Sequence, residues 1–547
     1  MEDALTKRRT AGLVGGGLAA ATALAMVTGG MGLAQESVSG ISLHGVRAQH
    51  KAAGVWSPNV VSPELAQVPV AQGATRLENG TRSIPYYGYL GDGPLVPLPG
   101  SSTEATKTEP DKNTYLVLDG QTGPDTHFDY GHRFLFQGHE GGAGYITRIN
   151  LDANEQHRVT LMADTDSSGD PLPTFDGSTY DPFAHRLLFT AEDGPDGGVW
   201  SATLGFPSKV RDISGAVGRG GYEGVQNDSA GNVWLVEDVG GATGTQNPNA
   251  KQPNSFLYRF VPEQPGNLSA GRLQALRVIS NRTGKAITFH TDAVDSDITS
   301  SDRKGLHTYG EHFTTRWVTI HDTATDGTAP FDANALAKAA RATPFKRPEN
   351  GVFQPGSHFG SFFFTETGDT NLDTEAGADL GGFGALYRLQ QSSPTANTGR
   401  LSMFYRGDPA HTGLDNISFF GRRQVVAVED ASDDVHSQRN ALDSGYLFTV
   451  GADYAGGKQP LRIIAEGRDP SATIDSALSD AATAGFQNDG DNELTGIHVS
   501  NGDPTRQGIL GAQVPRPFVP GSGWEAFYTA QHGDNVTYQL IADRIGQ

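Results

Sequence analysis

Acidic residues recur at matched points along this chain. One series comprises Asp129, Asp176 in Thr-Phe-Asp-Gly, Glu223 in Gly-Tyr-Glu-Gly, Glu349 in Arg-Pro-Glu-Asn, Asp415-Asn416 in Leu-Asp-Asn-Ile, and Glu493 to Gly496. A second series of polar residues closes short apolar runs: His139-Glu140, Glu192-Asp193, Glu237-Asp238, Glu366, Glu429-Asp430 and Gln531-His532. Carboxylates gathered in a partly buried place repel by roughly several kcal/mol per close pair, and bound cations relieve that repulsion. Oxygen-only donors favour hard ions such as calcium, magnesium or manganese, with ferric iron also in range. The candidate metal ligands are Glu140, Asp176, Glu192, Glu223, Glu237, Glu349, Asp415, Asn416 and Glu429. The competing reading is that Asp, Asn and Gly punctuate turns. It suits Asp193, Asp238 and Asp430 better than Glu223 or Glu349, because Glu is a poor turn residue. Beside Glu349, Pro348 biases Arg347 toward extended backbone, which would turn the guanidinium and the Glu349 carboxylate to one side.

The elements that must position these residues are short strands. Middle strands are predicted at 134–136, 187–189, 233–236, 362–364, 425–428 and 526–528, each followed by one of the polar groups above. Partner strands follow around Tyr145-Ile146, Val199-Trp200, Phe256 to Tyr258, Leu386-Tyr387, Tyr446-Leu447 and Val536 to Tyr538. A repeated unit too small to bury its own faces implies a radial array. Short strands with turn signals favour all-β closure. The expected fold is therefore a six-bladed β-propeller spanning 113–547. In such a ring, equivalent positions lie at equal radius and the opening carboxylates become neighbours. A long insert, about 267–343, separates the third and fourth blades. Within it Asp332 to Arg341 reads as a helix with Asp332 as N-cap. Residues 35–112, rich in Pro, Gly, Ser and Thr, read as an N-terminal arm that wraps the domain.

Composition narrows the function. The chain has 547 residues, no cysteine, 71 Gly and a formal charge of −21. Lacking cysteine, it makes no disulfide, thiolate ligand or cysteine nucleophile. The acidic balance disfavours nucleic acid and anionic lipid as partners. Lys7, Arg8 and Arg9 precede a weakly apolar run from Ala11 to Val27, and Gly32 and Ala34 supply small residues before Gln35. Residues 1–34 thus read as a twin-arginine-like signal peptide, which would export a chain that keeps no membrane anchor. Hydrolase signatures such as Gly-x-Ser-x-Gly and His-Glu-x-x-His, and the P-loop, do not occur.

From about Gly131 onward the motifs resemble the PhoX-type alkaline phosphatases, an exported, metal-dependent β-propeller family. The resemblance rests on Phe134 to Glu140, on Gly218 to Asp238 with the following Ser255 to Val261, on Arg347-Pro348-Glu349, on Leu414 to Phe419, and on Gln531-His532. It implies a phosphate monoester as substrate and calcium and iron at the axis. It also implies Glu223 and Glu349 as metal ligands, with Arg347 on the substrate phosphate, a role its planar fork suits. Two positions depart from the family pattern. Asp176 stands in the segment where the family has a cysteine, and Tyr222 stands where it has a histidine before the glutamate. Calcium is thus favoured over iron. The expected function is a secreted metal-dependent phosphoesterase acting on a small phosphorylated substrate. The alternatives are a non-catalytic calcium-stabilised propeller that binds a ligand, and a lactonase-type propeller hydrolase.

Overall fold

A computed structural model describes residues 35–51, 57–95, 105–467 and 493–543. The signal segment at 1–34 lies outside the described residues.

The fold is all-β and propeller-like, built from antiparallel meanders. Meander A holds strands Thr114–Val117, Arg133–Gln137, Ile146–Asn150 and Val159–Ala163. Meander B holds Ser178–Asp181, Arg186–Ala191, Gly198–Ala202 and Val210–Asp212. A nine-stranded sheet follows. It contains meander C (Tyr222–Asn227, Val233–Glu237, Leu257–Pro262, Gly271–Val278) and meander D (Gly351–Phe353, Ser361–Glu366, Ala385–Gln391, Thr398–Arg406). The long strand Phe313–Asp322 joins them by pairing with the outer strand of each. Meander E runs through Leu414–Phe419, Gln424–Glu429, Ser444–Thr449 and Leu461–Ala465, and Val60–Val61 adds to its outer edge. Meander F has three strands from the C-terminal part, Glu493–Ser500, Glu525–Gln531 and Val536–Ala542, and Leu65–Ala71 supplies its fourth. Two segments of the stretch read as an arm are thus strands paired into the outer edges of E and F.

Side-chain alternation explains the stacking. In each middle strand successive residues point to opposite faces. Phe134 and Phe136 pack toward Leu187 and Phe189 of B, while Leu135 packs toward Phe527 of F. Phe362 and Phe364 meet Trp234 and Leu257 of C, while Phe363 meets Val425 and Tyr446 of E. Both faces of each sheet are apolar, so each must be sandwiched between neighbours. The first strands also adjoin one another in chain order, and that of F adjoins that of A.

Gly271–Val278 is the fourth strand of meander C. The additional elements between C and D therefore begin after Val278. They include helices Ser301–Leu306 and Ala333–Ala339 beside the joining strand. The second helix begins as expected: the Asp332 side chain accepts from the Ala335 backbone N–H at 2.8 Å.

Candidate functional site

The carboxylates that open the first strands are brought together, and local backbone irregularity helps aim them. The pairing of first with middle strand shifts register between Tyr222 and Val225, between Leu414 and Ile417, and between Thr495 and His498. Such bulges redirect side chains. They fall at Glu223, at Asp415-Asn416 and just after Thr495. Asp176 and Glu349 lie two residues before their strands.

Among the described residues, two axial groups have carboxylate oxygens within 4.8 Å of one another: Glu223, Glu349 and Asp415; and Glu140, Asp176 and Glu192. Their internal hydrogen bonds are few. Asn350 Nδ2 donates to Glu223 Oε1 (3.0 Å) and to Asp415 Oδ1 (3.2 Å). Thr367 Oγ1 donates to Glu349 Oε1 at 2.6 Å. The Glu192 backbone N–H donates to Asp176 Oδ2 at 2.8 Å, and Gln531 Nε2 donates to Glu140 Oε2 at 2.9 Å. Burial and then neighbouring carboxylates push Asp176, Glu192, Glu223 and Glu349 well above the ordinary carboxylate range. Burial, and then Glu109, push Glu140 up to about 7. Burial raises Asp415 to about 6 despite the hydrogen bond from Asn416. This donor set fits hard cations: it is oxygen-only, buried except for the half-buried Glu140 and Glu192, and short of positive charge.

Among the described residues, Arg347 and Lys112 are cationic side chains that reach this region. Arg347 lies against Asp238, with Nε 2.8 Å and Nη2 2.7 Å from Asp238 Oδ2, and its Nη2 is 3.5 Å from Glu349 Oε1. Its backbone is not extended: φ is +51°. The Arg347 carbonyl is held by the Thr367 N–H and the Lys346 carbonyl by the Gly368 N–H, and these bonds outweigh the preference set by Pro348. The second cation, Lys112, is buried, and its Nζ donates to Asn416 Oδ1 at 2.6 Å.

Several expected residues stand elsewhere. Asp129 is exposed in the loop between the first two strands of A, where it caps a turn by accepting from the Gly131 N–H. The opening carboxylate of A is Asp111, buried and bound by Thr495 Oγ1. Asp-Lys-Asn-Thr-Tyr-Leu is a carboxylate followed by a strand, one strand ahead of the Asp129 at which the sequence pattern places the opening of A. Glu237 joins neither group: it accepts from Phe256 N–H (3.0 Å), Tyr258 OH (2.9 Å) and Asn334 Nδ2 (3.1 Å), and burial raises it to about 8. Glu429 is likewise turned away, bridged by Arg439 Nη1 and Nη2 at 3.1 Å each. In both pairs the strand ends on the Glu, and alternation sends the next residue to the other side. Asp238 and Asp430, read as turn residues, are those that face Arg347. Asn416 lies among the axial residues, but its Nδ2 donates to both Asp415 oxygens (3.0 and 2.8 Å) and its Oδ1 is taken by Lys112. Glu493, at the opening of F, has its Oε2 3.2 Å from His532 Nε2.

A family model described as alkaline phosphatase PhoX matches residues 225–505. No curated protein sequence matches significantly. Among solved structures the chain is similar to Pseudomonas fluorescens PhoX in complex with vanadate, a transition state analogue. The TM-score is 0.52 at 11% identity, over 91% of this chain and 98% of that one. It is more distantly similar to the periplasmic gluconolactonase PpgL of Pseudomonas aeruginosa, with TM-score 0.33 and 14% identity over 87% and 99% of the two chains. The soluble aldose sugar dehydrogenase of Escherichia coli in its apo form gives TM-score 0.32 and 10% identity, over 80% and 97%. At 11% identity the likeness to Pseudomonas fluorescens PhoX shows the fold alone.

Proposed function

This chain belongs to the alkaline phosphatase PhoX family, and on that premise we propose that it is an exported, metal-dependent phosphoesterase acting on small phosphate monoesters. The observation that carries the reading is the pair of three-carboxylate groups with Arg347 beside one of them. We count the nine-stranded sheet as two blades, C and D, which makes a six-bladed propeller with the segment after Val278 as its insert. The domain organisation is a signal at 1–34, an arm at 35–112 that lends outer strands, and the propeller at 113–547. No helix among the described residues is long and apolar enough to cross a membrane.

Glu223, Glu349 and Asp415 would hold one cation, and Glu140, Asp176 and Glu192 another. Asp176 supplies an oxygen where the family pattern has a thiolate, which favours calcium over iron. The chemistry such a cation supplies when bound is neutralisation of charge on the transferred phosphoryl group. The chain's own contribution is positional. Arg347 presents a planar fork suited to two phosphate oxygens. Asp238 holds that fork in place, and Thr367 fixes the orientation of Glu349.

The test is phosphate release from p-nitrophenyl phosphate by purified protein with calcium, alongside elemental analysis. Arg347→Ala should lower turnover by about 10²–10³, the usual cost of one aligned charge-stabilising donor, with metal content unchanged. Full activity in that variant, or parallel loss of metal, would leave the calcium-stabilised binding propeller as the better reading.

A further inference from the structure

The axis is short of positive charge, yet one of its cations is built into the chain. Lys112 begins at the opening of meander A, where its backbone N–H donates to the Asp176 carbonyl (3.3 Å) and its carbonyl accepts from Ser178 Oγ (3.0 Å). From there the side chain runs inward to Asn416 of meander E. It is 2% exposed, so a substrate at the mouth of the site does not reach it. The atom it binds is decisive. An asparagine ligates a cation through its carbonyl oxygen, and that oxygen of Asn416 is already 2.6 Å from the Lys112 ammonium. The rest of the Asn416 amide points to Asp415 and Thr495 Oγ1. Thr495 in turn donates to Asp111, the neighbour of Lys112 in sequence. The charges of Asp111, Asp415 and Glu223 act on the Lys112 ammonium from beyond ion-pair distance.

We infer that the Lys112 ammonium is a resident counter-cation that takes, at Asn416 Oδ1, the place of a metal ion, so that this site holds one ion fewer than its oxygen donors could. A lysine suits the role because its compact ammonium has three donors and approaches oxygen much as a small cation does. The bland reading is a buried lysine making one hydrogen bond to an amide. It leaves Asp111, Asp415 and Glu223 without the charge they face.

The inference rests on cation binding at the axis, not on phosphate chemistry, and its test reads no activity. Wild type and Lys112→Met, which keeps the side-chain length and removes the charge, are stripped of metal, saturated with calcium or manganese, and dialysed. Metal equivalents are then counted by elemental analysis and by titration calorimetry. The expected result is one additional equivalent in Lys112→Met, with a larger fall in Tm on chelation than in wild type. Equal stoichiometry together with an equal chelation shift overturns the inference. If Lys112→Met does not fold, Lys112→Met/Asp111→Asn decides: removing the matching negative charge should restore folding and the wild-type count. A double variant as unstable as the single one also overturns it. Wild type that binds no metal defeats the phosphoesterase reading. The counter-cation is then still read from the Tm of Lys112→Met against the double variant in metal-free buffer.

Discussion

Two kinds of buried carboxylate occupy this molecule. Glu366, at the end of the middle strand of D, is fully buried and fully matched. Arg303 Nη1 lies 3.1 Å from one oxygen, His307 Nε2 lies 2.6 Å from the other, and the Lys346 N–H donates to the first at 2.8 Å. Burial pushes Glu366 up, but His307 and Arg303 outweigh it and hold the carboxyl below its ordinary value. Glu429 with Arg439, and Asp443 with His436 and Arg439, form a similar matched set in E. Glu349 and Glu223 are as deeply placed and are pushed the other way. The protein can satisfy a buried acid when it needs to, and it has not done so at the axis. That difference separates carboxylates that hold the fold from carboxylates that could hold a metal.

The comparison breaks most visibly on mutation. Glu366→Ala leaves Arg303 buried without its partner, a change that typically costs about 3–5 kcal/mol. Denaturant unfolding should show that loss equally with and without calcium. Glu349→Gln should lose metal by elemental analysis, and its metal-free form should be no less stable than metal-free wild type, since a repelling charge has gone. Equal destabilisation of the two variants in metal-free buffer would erase the distinction.

Metal removal sharpens it further. A cation bound only to the native state stabilises by about 2.7 kcal/mol at a free concentration 100 times its Kd. Stripping calcium from wild type should lower Tm, and calcium should restore it. An unchanged melting curve, with removal verified, would make the axial carboxylates ordinary turn residues.

Much of this was legible in the sequence. The middle strands carry large apolar residues on both faces, and that pattern located them all. The opening carboxylates of B to F were found because each lies just before a strand or within its first two residues. Asp111 was hidden because it sits at the end of the Pro- and Gly-rich stretch read as an arm, one strand ahead of Asp129. The choice within Glu237-Asp238 and Glu429-Asp430 depends on which residue ends the ladder, and sequence does not fix strand ends to one residue. Lys112 carries no local signal. Its role comes from Asn416, some three hundred residues away in the chain and adjacent only once the ring closes.

The finest distinction is in pH. Glu140 titrates at about 7 in the folded state against an ordinary 4.5, and Asp415 at about 6 against 3.8. A carboxylate whose folded pKa is raised binds its proton more tightly in the native state. Its contribution is fully present below the unfolded value and is lost as pH rises through the folded value. Metal-free protein should therefore lose stability from about pH 4 to pH 7, by up to about 1.4 kcal/mol per pH unit for each such group. Glu366 works in the opposite sense: its folded pKa is lowered, so its contribution is present above the unfolded value and fades as pH falls through the folded one. The stripped protein should be most stable on the acid side of neutrality. With calcium bound, the axial carboxylates stay ionised, and the fall toward pH 7 should disappear while the acid limb set by Glu366 remains. Tm measured at half-unit steps from about pH 2.5 to 8, on stripped and calcium-loaded protein, separates the two limbs. A stripped protein whose Tm stays flat or rises from pH 4.5 to 7 would mean that the axial acids are matched after all, as Glu366 is.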